Sequence, residues 1–189
     1  MSRNSRAAAV DAFLAPIQKA ASTFGKCKIT GGGKGYRSPE LGADYSWALN
    51  TGEGMKIPTY GDDLRFFASM SWRVVEDDQS GPFRVTTTRY DYSLRFDSGV
   101  ELWAHHWHPA GMSTTTTPHI HLGAAILSAN SSITPKSHLS SGRMTFETAI
   151  RWVAESGGNP DRLDWEEQLE LAEQPYLLYR QWSDKPTAP

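Results

Sequence analysis

Six histidines fall between positions 105 and 138, and four of them form two alternating pairs, His106/His108 and His119/His121. Imidazole titrates near neutral pH and is also the commonest metal ligand. Residues i and i+2 of a strand point to the same face, so each pair would present two rings on one side of a sheet. If the two segments form an antiparallel hairpin with His108 opposite His119, then His106 lies opposite His121, because 108 + 119 and 106 + 121 give the same sum. The spacing therefore predicts a block of four imidazoles.

Three kinds of chemistry fit such a block. In the first, two imidazoles act as general base and general acid without a cofactor, a mechanism suited to RNA because the 2′-hydroxyl is an internal nucleophile. In the second, the four paired rings bind zinc or another divalent transition metal, which activates water for hydrolysis. In the third, the histidines are structural residues of a non-catalytic interaction module. All six lie in one short window, which favours a functional site.

Each chemistry assigns roles to particular residues. RNA cleavage takes His106 and His121 as the proton-transfer pair, and the full set of catalytic candidates is His106, His108, His119, His121 and His138. It also needs cations for the phosphate, and the candidates are Lys136, Arg143 and Arg89. Metal binding takes His106, His108, His119 and His121. The segment from 105 to 138 contains no carboxylate, so an acidic partner must come from elsewhere, for example from Glu101, Asp91 or Glu147.

The strand that carries the first histidine pair has two dissimilar faces. Val100, Leu102 and Ala104 precede His106 and His108 on one of them, which predicts a core side that opens into a histidine pocket. The other face places His105 between two tryptophans, where a structural role is the better interpretation.

The surrounding elements predict an α+β fold in a single domain of residues 1–189. Residues 1–24 have the apolar periodicity of a helix, 61–128 read as an antiparallel β-meander with strong turn signals, and 144–182 read as two helices. Residues 25–60 are dense in glycine and proline and are expected to be irregular. The run at 31–35, GGGKG, lacks the outer glycine and the Ser/Thr of a phosphate-binding loop, so a flexible linker is expected there.

The composition of the chain indicates which partners and which cellular compartment to expect. A hydrophobic content of 39% supports a core, and a net charge of −2 provides no general attraction to nucleic acid. The lone Cys27 excludes an internal disulfide and fits a reducing compartment. Without a long apolar stretch we expect no membrane association and a cytoplasmic location.

Four runs carry a resemblance to known proteins: YDYSLRFDSGVEL at 90–102, HHWHP at 105–109, PHIHLG at 118–123 and HLSSGRMTFE at 138–147. Together they resemble a family of uncharacterised histidine-rich bacterial proteins and, more distantly, the TumE-type toxins of toxin–antitoxin systems. The resemblance covers about residues 85–156. It implies a toxin-like α+β fold, RNA as substrate, an antitoxin protein as partner, and the four paired histidines as active-site residues.

Overall fold

An N-terminal helix, an antiparallel sheet and two C-terminal helices form the α+β architecture that the sequence predicts. The computed structural model describes residues 5–31, 38–76, 82–110 and 115–179, the last five of them as backbone. The helices are α1 (Arg6–Ala21), α2 (Phe146–Glu155) and α3 (Trp165–Tyr179). The strands are β1 (Ile29–Gly31), β2 (Tyr45–Leu49), β3 (Met55–Ile57), β4 (Leu64–Glu76), β5 (Phe83–Phe96), β6 (Glu101–Trp107), β7 (His119–Leu122) and β8 (Leu139–Ser140).

The strands of the described residues join in one antiparallel sheet in the order β1-β2-β4-β5-β6-β7-β8, with β3 paired to the first residues of β4. From β4 to β8 each strand pairs with the next one along the chain, which is the predicted meander. The β5–β6 turn is tight because Gly99 takes a φ of 89°, a left-handed conformation that glycine adopts without strain. The histidine-bearing strands therefore lie side by side.

The helices pack on the sheet face that carries the large aromatic residues. From α1, Phe13 lies 5.9 Å from Trp72 between ring centroids, and from α2, Trp152 lies 5.6 Å from Trp103. Phe146 at the start of α2 contacts three aromatic rings of the sheet, those of Trp47, Phe66 and Tyr92. We call the opposite side the open face. None of the helices in the described ranges is long and apolar enough to cross a membrane.

The core side of β6 is the reverse of the predicted one. Trp103, His105 and Trp107 are buried under the helices, whereas His106 and His108 point to the open face. Two indoles bury far more apolar area than the aliphatic side chains that precede the histidines, so they decide which face turns inward. The histidine pair consequently sits on an accessible surface rather than at the mouth of the core.

Three short strands form in the segment 25–60 that was expected to be irregular. Trp47, Leu49, Met55 and Ile57 are all nearly inaccessible to solvent, and β2 and β3 both pair with β4. Their apolar anchors outweigh the high glycine content around them, and for these residues the prediction was wrong. Most of the glycine-rich run 31–35 lies outside the described residues.

Candidate functional site

Five histidine rings meet on the open face. His106 and His108 come from β6 and the residue that follows its end, His119 and His121 come from β7, and His138 immediately precedes β8. Neighbouring ring centroids lie between 4.5 and 6.2 Å apart. We call these five side chains the histidine cluster. The structure thus brings together all five residues proposed as catalytic candidates.

The register between β6 and β7 differs from the predicted one. His106 is paired with His119, and His121 is paired with Ala104, so the expected pairing of His108 with His119 is wrong by two residues. The connection between these strands is too long to fix their register as a tight hairpin turn would. Because side chains alternate with a period of two, an even shift leaves every ring on the same face. The rings therefore still lie together on one face, but they do not form the predicted two-by-two block.

His138 enters the cluster through β8, the last strand of the sheet. β8 pairs with β7 so that Ser140 lies opposite His119, and the same register extended by two residues places His138 beside His121. The ring of His138 stacks on that of His119 with centroids 4.5 Å apart and planes 2° apart, and it meets the ring of His121 edge-on at 4.6 Å. The residue that precedes β8 therefore supplies a ring to the site, next to those of β6 and β7.

The two β7 histidines have their ring orientation fixed by backbone carbonyl groups. Nδ1 of His119 lies 2.9 Å from the carbonyl oxygen of Thr117, and Nδ1 of His121 lies 3.1 Å from that of Pro135. A carbonyl oxygen only accepts hydrogen bonds, so in both rings Nδ1 carries the hydrogen and Nε2 keeps the lone pair. Histidines that bind metals are usually held in this way.

Ring nitrogens of three histidines converge. One ring nitrogen from each of His119, His121 and His138 lies within 4.8 Å of those of the other two. Nδ1 of His138 is 2.7 Å from the hydroxyl of Thr115, and either group can be the donor of this hydrogen bond. Two imidazoles from β7 and one from the residue before β8 thus bring one ring nitrogen each to a common point.

Burial keeps the two β7 imidazoles in the form that binds metals. Loss of solvent lowers the pKa of His119 and of His121, the carbonyl hydrogen bonds act in the opposite direction, and the charges of neighbouring histidines lower the pKa further. Both rings are therefore neutral at neutral pH.

A carboxylate also contacts the cluster. Asp91 of β5 is paired with His106 across the sheet, and its Oδ1 lies 2.8 Å from Nδ1 of this histidine. Burial raises the pKa of Asp91, but the hydrogen bond from His106 and the nearby charges of His106 and Arg89 outweigh it, so the pKa of Asp91 lies below its ordinary value. Nδ1 of His106 therefore donates to a carboxylate, and its Nε2 is left as the basic nitrogen.

The other two candidate carboxylates lie elsewhere. Glu101 contacts Arg95 at 3.6 Å, and Glu147 is buried in the first turn of α2, on the helix side of the sheet. Asp91 is the acidic partner because it occupies the β5 position next to His106.

The three predicted phosphate-binding cations are spread over different places. Arg143 lies over the ring of Trp107 at 4.0 Å, and that ring points to the helix side of β6, away from the cluster. Lys136 is exposed in the connection before β8, next to the proline whose carbonyl holds His121. Arg89 lies on the open face two residues from Asp91 and contacts it at 3.4 Å. Two of the three cations are thus on the side of the cluster.

His105 is a structural residue, as its tryptophan neighbours predicted. It is 1% exposed, its Nε2 is 2.9 Å from the hydroxyl of Ser141, and its ring stacks on that of Tyr90 at 5.5 Å. Burial, and secondly the charge of His106, lower the pKa of His105 to about 4. This ring belongs to the core and takes no part in the cluster.

The low pKa of His105 predicts a loss of stability in mild acid. Below the ordinary value of 6.5 the unfolded chain binds a proton that the folded chain does not bind until about pH 4. The free energy of unfolding should therefore fall by about 2 kcal/mol between pH 7.5 and pH 5 from this residue alone. In His105→Gln this contribution is absent, which urea unfolding at the two pH values measures. His108→Gln on the open face is the matched control. If the free energy of unfolding changes equally between the two pH values in both variants, the assignment is wrong.

Comparisons of this chain with protein-family models, with curated proteins and with solved structures find no match.

Proposed function

We propose that this protein binds a divalent transition metal, zinc or one of similar preference, through His119, His121 and His138, and hydrolyses a phosphate ester there. The observation that supports it most is the convergence of three ring nitrogens within 4.8 Å. Imidazole suits zinc, copper, iron and nickel, and three histidines with one open position are typical of catalytic zinc sites.

The ligand positions need only a small adjustment to accept the ion. Zinc–nitrogen bonds of about 2.0–2.1 Å in a tetrahedral site place the ligand nitrogens roughly 3.3 Å apart. Side-chain rotations that move each of the three nitrogens by about 1 Å bring them from their present separation to this distance. His119 and His121 already have the outer hydrogen bonds that orient metal-binding rings.

The neighbouring residues supply the proton chemistry. A bound metal ion of this kind lowers the pKa of its water ligand to about 7. His106, whose ring is 5.2 Å from that of His121 between centroids, takes a proton from the attacking water, and Asp91 stabilises the resulting imidazolium. The water oxygen forms a bond to phosphorus, the phosphorus–oxygen ester bond breaks, and the leaving alkoxide takes up the proton from His106.

Metal analysis and activity measured together test this proposal. We expect the purified protein to bind about one zinc ion per chain and to hydrolyse a chromogenic phosphodiester such as bis(4-nitrophenyl) phosphate. A chelator should abolish both, and added zinc should restore both. A protein that binds no zinc, nickel, cobalt or iron after reconstitution contradicts the proposal.

Metal-free cleavage of RNA is the second candidate, and the Asp91–His106 pair favours it. A carboxylate that holds an imidazole at 2.8 Å is an arrangement typical of a general base. His121 is close enough to His106 to be the general acid, but its lowered pKa and the lone pair on its Nε2 oppose that role. This mechanism predicts that a chelator does not inhibit cleavage. It also predicts that a substrate without the 2′-hydroxyl is not cleaved. An antitoxin as partner remains a prediction from the resemblance.

A substitution at Asp91 tests the role of His106 under the metal-dependent proposal. Asp91→Asn keeps a hydrogen-bond acceptor for Nδ1 but removes the charge that stabilises the imidazolium. We expect kcat to fall roughly 10–100-fold, with KM and zinc affinity within about three-fold of the wild-type values. Steady-state kinetics and zinc titration measure the two effects. A loss of zinc in Asp91→Asn would mean that Asp91 supports metal binding instead.

A further inference from the structure

The open face contains a hollow of about 450 Å³ over β1, β2 and β4, with Arg89 of β5 on the side towards the histidine cluster. Among the described residues, its wall has hydroxyl groups from Thr30, Ser46, Thr51, Ser69 and Ser71 and one cation, Arg89. No carboxylate is among the described residues that line it. Gly31, Trp47, Ala48 and Met70 complete the described lining. A concave site of this size, with hydroxyl groups and a guanidinium beside apolar residues, suits a small molecule that has an anionic group.

The sheet register relates this hollow to the cluster. Ser71 is paired with Arg89, and in the next row of the same face Ser69 is paired with Asp91, which is paired with His106. The following strand adds His119 to that row. Neighbouring strands lie about 4.8 Å apart and two residues along a strand span about 7 Å, so the backbone of Arg89 on β5 is roughly 12 Å from that of His119 on β7, the nearest of the three proposed metal ligands. One small molecule can span this distance.

Arg89 keeps most of its hydrogen-bonding capacity for a ligand. Its guanidinium contacts Asp91 at 3.4 Å, which is longer than the 2.7–2.9 Å typical of a charge-assisted hydrogen bond. Asp91 itself is held more closely by His106, at 2.8 Å. The Arg89 side chain is 56% exposed, and a guanidinium has five donors in a fork that fits phosphate oxygens.

We infer that this hollow binds the terminal phosphate group of a small molecule, and that a different phosphate ester of the same molecule lies at the histidine cluster, where it is cleaved. The inference rests on the proposed hydrolytic function and assigns it a substrate class: a molecule of about nucleotide size with a phosphomonoester group roughly 12 Å from the bond that is cleaved. A phosphate accepts hydrogen bonds from the guanidinium and from serine hydroxyls together, which a carboxylate does less completely. A long nucleic acid needs a track of several cations, and the part of this hollow that the structure describes has one, Arg89.

Phosphate binding by the metal-depleted protein tests the inference independently of catalysis. Calorimetric titration with inorganic phosphate and with a nucleoside monophosphate should give saturable binding to the wild-type chain. Arg89→Gln should weaken it at least ten-fold, and Arg89→Lys should be intermediate because lysine keeps the charge but not the fork. Arg95→Gln is the matched control, because Arg95 lies on the same strand and face but outside this hollow, and it should bind phosphate as the wild type does.

The possible results separate this inference from the proposed function. Phosphate binding that depends on Arg89 in a chain that binds no zinc supports the subsite and rejects the metal centre. Zinc binding with no phosphate binding, or with equal binding in wild type and Arg89→Gln, overturns the subsite alone. Single-stranded RNA that binds more tightly than the monophosphate, and that loses affinity equally in Arg89→Gln and Arg95→Gln, overturns the small-molecule assignment.

Discussion

His121→Ala is expected to lower the affinity for zinc by at least about 100-fold, more than the 10–100-fold that loss of an outer hydrogen-bond partner typically costs. The ring of His121 contributes one of the three converging nitrogens, and its Nδ1 is already held by the carbonyl of Pro135. Alanine leaves two ligands on the site, and the remaining imidazoles cannot close around the ion. A 100-fold loss corresponds to about 2.7 kcal/mol of binding free energy.

The same change should remove the effect of zinc on thermal stability. At a free zinc concentration 100 times the dissociation constant, binding stabilises the wild-type fold by about 2.7 kcal/mol, which raises Tm by roughly 5–10 °C in a chain of this size. We expect no such rise for His121→Ala. Differential scanning calorimetry with and without zinc, combined with a competition titration, measures both quantities.

His108→Ala is the matched control for this experiment. His108 belongs to the same cluster, with its ring 5.3 Å from that of His119 between centroids, but it is not one of the three converging ligands. The zinc affinity of His108→Ala should stay within about three-fold of the wild-type value, because the substitution removes a neighbouring ring but none of the three ligands. If His108→Ala and His121→Ala lose zinc equally, the ion is bound by a different set of rings.

The grouping of the histidines was predictable because it depends on a period of two. His106 and His108, like His119 and His121, stay on one face in any register that differs by an even number of residues. The hydroxylated and charged residues of β5 alternate with Tyr90, Tyr92 and Leu94, so its open face was predictable by the same argument. Period alone, however, does not say which rings are opposite each other.

Other parts of the site leave little trace in the sequence. His138 follows an irregular connection, and only the pairing of the two-residue strand β8 with β7 brings it to His121. The groups that orient the β7 rings are the carbonyls of Thr117 and Pro135, and every residue has a carbonyl. Asp91 was identifiable as one of three acidic candidates, but its selection required the register of β5 against β6.

Gly123→Ala is expected to destabilise the protein by about 3 kcal/mol or more, because the chain leaves β7 in direct contact with the backbone of β6. A Cβ built at Gly123 lies 1.7 Å from the carbonyl oxygen of Glu101 and 2.2 Å from its carbonyl carbon. These are backbone atoms of a paired strand, so no side-chain rotation relieves the overlap. The amide of Gly123 also donates to the carbonyl of Leu102 at 2.7 Å, which fixes the close approach.

The effect should extend to the histidine cluster, since Gly123 lies two residues beyond His121. Moving the end of β7 away from β6 by 1 Å or more displaces a ligand that must be placed to within about 0.5 Å, so zinc affinity should fall together with stability. Urea unfolding and zinc titration of the same preparation measure the two losses. Gly61→Ala is the control, because a Cβ there meets no atom within 4 Å, and its stability should change by less than about 0.5 kcal/mol. A Gly123→Ala protein with wild-type stability and zinc affinity would show that β6 and β7 do not approach each other in this way, and the arrangement of ligands derived from their pairing would then have to be replaced.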